Sequence, residues 1–173
     1  MVRLLTTFFQ ELVMSLIDHD HSSVEDFLDL AIELEKLATK SYQQFSESTR
    51  DAEMKKILTN ISEVCAKHAD MLQKIVLLVN EEGKKKTILI QLPAPGYWEP
   101  IKTNASTDAL RLLYESSKKH LQIEETMLFN YGQLKHVFVS KEALDLVSEL
   151  VSDETTHMHL MAQIVLDYEK KNK

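Results

Sequence analysis

The eight residues Pro93-Ala94-Pro95-Gly96-Tyr97-Trp98-Glu99-Pro100 hold all three prolines and one of the three glycines of a 173-residue chain. At usual frequencies about twelve glycines and eight prolines are expected at this length, so turns elsewhere are few and elements long. Sandwiches and barrels need turn residues about every 8–12 positions. This chain is all-α with one break.

On the N-terminal side of the break, apolar periodicity predicts helices over about 23–46 and 50–80; on the C-terminal side, over about 107–133 and 141–170. Ser22 with Glu25 forms a capping box for the first of these, Ser48 or Thr49 caps the second, Ser106 or Thr107 the third and Ser140 the last. The two hairpins have short loops, whereas the 25-residue connection 81–105 is long enough to cross the bundle. The expected domains are 22–173, a four-helix bundle with one long crossover, and 1–21, an amphipathic helix followed by a polar turn at His19-Asp20-His21. That helix places Leu4, Leu5, Phe8, Phe9, Leu12, Val13, Leu16 and Ile17 on one wide stripe. Gln10 and Glu11 interrupt the apolar run, unlike a signal peptide, and the polar face lacks the basic residues of a membrane-surface helix. It is expected to dock on the bundle or on a second subunit, as in a homodimer.

Charge narrows the partners. A net charge of −7 argues against nucleic acid, whose phosphates need a basic face. No apolar run reaches the roughly 18 residues of a membrane span. The single cysteine, Cys65, cannot form an internal disulfide, which fits a reducing, cytoplasmic setting.

Polar groups interrupt the apolar stripes in a regular way. At about 100° per residue, Glu35 shares a face with Val24, Leu28, Ala31, Ala38 and Tyr42, and His68 shares one with Ile61, Met71, Leu72 and Ile75. Glu124 falls among Leu113, His120, Met127 and Tyr131, while Glu154 and His157 fall among Val147, Leu150 and Met161. Buried charges are costly unless paired or bound to metal. Counted from the hairpin turns near 50 and 139, all five groups lie within about one helical turn of the same height at ~1.5 Å per residue. A shift of 89 residues takes Glu35 to Glu124, Tyr42 to Tyr131, Cys65 to Glu154 and His68 to His157. Two similar hairpins would thus each deliver half of a shared site.

This set resembles the ferritin-like di-iron carboxylate proteins, which place a Glu on each of two helices and a Glu-x-x-His on each of the other two. The rubrerythrin branch is the nearest likeness: Glu35-x-x-Ala38-x-x-x-Tyr42, Glu124-x-x-Met127-x-x-x-Tyr131 and Glu154-Thr155-Thr156-His157 follow its pattern across residues 24–170. The resemblance implies a ferritin-like bundle whose metal ligands are Glu35, His68, Glu124, Glu154 and His157. It also implies paired iron that handles peroxide, dioxygen or iron itself, as an oxidoreductase or ferroxidase; manganese and zinc are alternative metals. A complete rubrerythrin adds a four-cysteine rubredoxin domain; with one cysteine this chain needs an external electron donor.

The departures are specific. Cys65-Ala66-Lys67-His68 stands where the family has Glu-x-x-His, and that glutamate bridges the two metals in the family. Glu63 lies about 140° from His68 around the helix and cannot replace it. Cys65 is either a ligand or redox thiol, soft and oxidisable, or a small core residue. Two ions are expected if its thiolate substitutes for the bridge, one if it does not. Met127 stands where rubrerythrins often carry another glutamate. His120 is a further ligand, or else a cap, a carboxylate partner or a surface residue. Tyr42 and Tyr131 either hydrogen-bond to ligating carboxylates or fill the core. Two other readings compete: a degenerate scaffold without redox activity that acts as a binding or assembly module, and a mononuclear zinc or iron site using Glu124, Glu154 and His157 plus one group from the other half.

Overall fold

The computed structural model describes residues 21–49, 52–91 and 109–171. The elements are β1 (His21–Ser23), α1 (Val24–Ser48), α2 (Ala52–Leu78), α3 (Glu81–Lys84), β2 (Thr87–Leu89), α4 (Ala109–Leu134) and α5 (Lys141–Lys171). Four long helices form the expected all-α bundle, and the described helix ends fall within about two residues of those read from the sequence. The expected N-terminal helix, the caps at Ser106 or Thr107 and the Pro-rich window lie outside the described residues.

Two local expectations are corrected. The cap of α1 is Ser23, not Ser22: its side chain accepts from the Asp26 backbone N–H and its hydroxyl donates to the Asp26 carboxylate at 2.6 Å. Thr49 closes α1, its N–H donating to the Phe45 carbonyl, instead of opening α2. The first shift has a local cause. Residues 21–23, expected in part as a turn, pair antiparallel with 87–89 in the register His21↔Leu89, Ser22↔Ile88 and Ser23↔Thr87. Ser22 lies inside the ribbon, and Ser23, the ribbon's last residue, is the one whose side chain caps the helix. The Val24 N–H continues the ribbon by donating to the Lys86 carbonyl at 2.9 Å.

The start of the crossover is held twice more. Asn80 caps α3 by accepting from the Gly83 N–H at 2.7 Å. A Cβ at Gly83 would lie 2.9 Å from Val79 Cγ1, so only glycine lets the chain turn this closely. Beyond β2, Asn130 on α4 makes paired 2.8 Å hydrogen bonds with the backbone N–H and C=O of Gln91. Ser140 opens α5 as expected, accepting from the Ala143 N–H.

The core falls into two apolar clusters. The larger gathers Val24 to Leu34 of α1, Met71 to Ile75 of α2, Met127 to Leu134 of α4 and Ala143 to Leu150 of α5. The smaller gathers Tyr42, Leu58, Ile61, Cys65, Leu113 and Met161. Between them along every helix comes one buried polar layer: Glu35, His68, Glu124, Glu154 and His157. The same 3.6-residue register that buries the leucines buries these groups. Outside, Lys67 of α2 bridges to Glu149 at 3.2 Å and to Asp153 of α5, tying the hairpins together.

Candidate metal centre

All five groups read from the sequence converge, and His120 joins them. Three overlapping clusters form, each with its donor atoms within 4.8 Å of one another: His68, Glu154 and His157; His120, Glu124 and His157; Glu35, Glu124 and Glu154. Each half of the chain supplies its share from one helix pair, so the layer exists only once the hairpins face each other.

Glu154 occupies the middle. One of its carboxylate oxygens lies 3.0 Å from His68 Nδ1 and the other 3.6 Å from His157 Nδ1. His68 Nδ1 also lies 3.6 Å from Glu35, and His157 Nδ1 lies 3.4 Å from Glu124. These approaches are close but poorly aligned. Glu35 Oε2, both oxygens of Glu154 and both ring nitrogens of His68 and His157 are buried without a hydrogen-bond partner. Such atoms in a native core call for an explanation. Carboxylates and imidazoles whose lone pairs converge within 4.8 Å are the donor set of a divalent transition metal.

The electrostatics describe a layer in which protons occupy the place of cations. Burial, with the charges of Glu154 and Glu124 behind it, raises the Glu35 carboxyl well above the usual range, against the opposing pull of His68. Burial works against the His68 cation, but the neighbouring carboxylates of Glu154 and Glu35 outweigh this and push its pKa up to about 10. Burial also works against the Glu154 anion, yet His157 and His68 hold it below the normal carboxylate range.

The remaining sequence candidates separate. Cys65 is fully buried in the smaller apolar cluster and belongs to none of the three donor clusters. Burial, followed by the carboxylates of Glu35, Glu124 and Glu154, pushes its thiol up, away from the thiolate. Tyr42 stacks on His120 and places its hydroxyl 2.6 Å from His120 Nδ1. Tyr131, its counterpart in the repeat, packs edge-on to Phe27, and its hydroxyl is buried without a partner. Burial raises both phenols. Met127 is core. His136 and His159 are exposed and lie outside the donor clusters. Sequence spacing places His120 one turn from Glu124, whereas the tyrosine that orients it comes from 78 residues away.

The rubrerythrin family model matches residues 26–165. The chain belongs to the rubrerythrin family. Among solved structures, a Thermotoga maritima chain assigned to the ferritin-like diiron-carboxylate proteins superposes with a TM-score of 0.67 at 19% identity, covering 87% of this rubrerythrin-family chain and 99% of that one. That likeness establishes the ferritin-like fold. No curated protein matches the chain. No described helix is long and apolar enough to cross a membrane.

Proposed function

We propose that this rubrerythrin-family chain is an iron-binding oxidoreductase acting on peroxide or dioxygen. Glu35, His68, Glu124, Glu154 and His157 hold the metal in the bundle core. The observation that carries this reading is the set of orphaned donor atoms on Glu35, His68, Glu154 and His157, which no protein group satisfies. Iron, when bound, supplies the electron-transfer chemistry that none of these side chains has.

The chain's own groups set the conditions for that chemistry. Glu154 presents its two oxygens toward opposite histidines, the arrangement a bridging carboxylate needs. The two apolar clusters on either side of the layer exclude bulk water and strengthen every charge interaction within it. Protons held on Glu35 and His68 leave as metal enters, since ligands bind in their deprotonated forms. These 173 residues hold one cysteine and no four-cysteine iron site, so reducing equivalents enter the bundle from outside it.

The test is anaerobic loading with ferrous iron, followed by gel filtration and metal analysis. Retained iron, near-ultraviolet absorption on oxidation and rapid reoxidation of the reduced protein by peroxide are expected. A protein that retains no iron, manganese or zinc is the inert scaffold instead, the reading that Cys65 at the bridging position favours.

A further inference from the structure

The loss of a carboxylate at position 65 leaves the site one ligand short on the α2 side, and only a thiolate at the same position could replace it in kind. The geometry points to a different replacement: His120 is a metal ligand in this chain, completing a second metal position with Glu124 and His157, while Cys65 remains a packing thiol. This inference rests on the metal-binding reading above and adds the ligand that makes two ions per chain possible.

Four observations carry it. His120 Nε2 faces Glu124 Oε1 directly, Glu124 Oε1 lies 3.4 Å from His157 Nδ1, and the three residues offer donor atoms within 4.8 Å of one another. The His120 ring also meets the His157 ring edge-on, with centroids 5.3 Å apart. Second, His120 and Glu124 are one turn apart on α4, so the helix itself holds the two donors side by side. Third, the other ring nitrogen is already engaged. Tyr42 OH lies 2.6 Å from Nδ1, and its ring stacks on the imidazole with centroids 5.2 Å apart. A histidine that binds metal through one nitrogen characteristically has the other held by a hydrogen-bonding group, which fixes the tautomer and the ring plane. With metal at Nε2 the proton resides on Nδ1 and is donated to the Tyr42 oxygen. Fourth, Cys65 lies in the apolar cluster of Tyr42, Leu58, Ile61, Leu113 and Met161; its thiol hydrogen-bonds to Glu35 but joins none of the donor clusters.

His68, Glu35 and Glu154 then serve one metal position, and His120, Glu124 and His157 the other, with Glu154 between them. The arrangement replaces a symmetric pair of carboxylate-rich positions by one of unequal ligand type, the second richer in nitrogen.

Cobalt(II) is the probe, because a thiolate ligand adds an intense near-ultraviolet charge-transfer band that nitrogen and oxygen ligands do not. The wild type is expected to bind two cobalt ions per chain without that band, and Cys65→Ala to give the same stoichiometry and spectrum. His120→Phe, which keeps the ring stacked on Tyr42, is expected to bind one. A thiolate band that Cys65→Ala abolishes overturns the inference, as does a wild type holding a single cobalt or a His120→Phe protein holding two with an unchanged spectrum. If His120→Phe fails to fold, His120→Leu carries the same stoichiometry test, and the wild-type and Cys65→Ala spectra decide the role of the thiol. A wild type that binds no cobalt overturns the metal-binding reading itself, a result distinct from each of these.

Discussion

The α1–α2 and α4–α5 hairpins carry the same residue pattern 89 positions apart, yet they do not contribute alike. Both present a glutamate, a tyrosine and a histidine at matching places. In the second hairpin position 154 is a carboxylate reaching two histidines; in the first, the matching position 65 is a buried thiol among apolar neighbours. The tyrosines diverge as well. Tyr42 of the first hairpin reaches across to His120 of the second, whereas Tyr131 of the second makes no such bond. The same pattern therefore gives a first half with two donors, Glu35 and His68, plus the tyrosine that holds His120, and a second half with four donors, His120, Glu124, Glu154 and His157. The difference shows that a repeat predicts where side chains lie more reliably than what each one does.

The sharpest way to break this comparison is to remove matching residues. Glu154→Gln should weaken metal binding by more than about 100-fold, exceeding the usual cost of losing an orienting group, because both histidine-lined positions lose a shared carboxylate. Cys65→Ala should leave affinity within a few-fold of wild type by the same reasoning. Equilibrium dialysis with metal analysis reads both, with circular dichroism confirming the fold.

The tyrosines provide a second contrast. Tyr42→Phe should weaken binding about 10- to 100-fold, the range for groups that orient a ligating histidine. Tyr131→Phe should leave binding unchanged. Equal effects from the two substitutions would remove the asymmetry between the hairpins.

A third test sets the proton-filled layer against the metal-filled one. His68 has a folded pKa of about 10 against an ordinary 6.5, and Glu35 is likewise raised. A raised pKa stabilises the fold fully below the unfolded value and loses that contribution as pH climbs through the folded one. The melting temperature of the metal-free chain should therefore fall between pH 6.5 and about 10. The loaded chain should lose less over that range, since metal occupies the place of the protons. Loading near pH 7 should release roughly one to two protons per chain, measurable by calorimetry in buffers of different ionisation enthalpy.

The smallest expected effect also concerns the second hairpin. The Tyr131 hydroxyl is buried and unpaired, and such a group costs about 1 kcal/mol or more. Tyr131→Phe should therefore raise the melting temperature by about 2–4 °C in a chain of this size, read by differential scanning calorimetry.

Much of this molecule follows from local periodicity. The four long helices, the break between hairpins and the height of Glu35, His68, Glu124, Glu154 and His157 are all set by residues a few positions apart. A helix advances and rotates by fixed amounts per residue, so sequence spacing converts directly into height and face. Tertiary structure alone decided the rest. Ser22 gave up its capping role because residues 21–23 pair with 87–89, a contact between segments some 66 positions apart. Cys65 lies in the smaller apolar cluster beside Glu35, and Tyr42 meets His120, because the rotation of one helix against another determines which side chains touch. Spacing along a chain contains no information about that rotation. It is fixed only when the apolar stripes of all four helices are packed together, and that packing settles which of the layer's polar groups face one another.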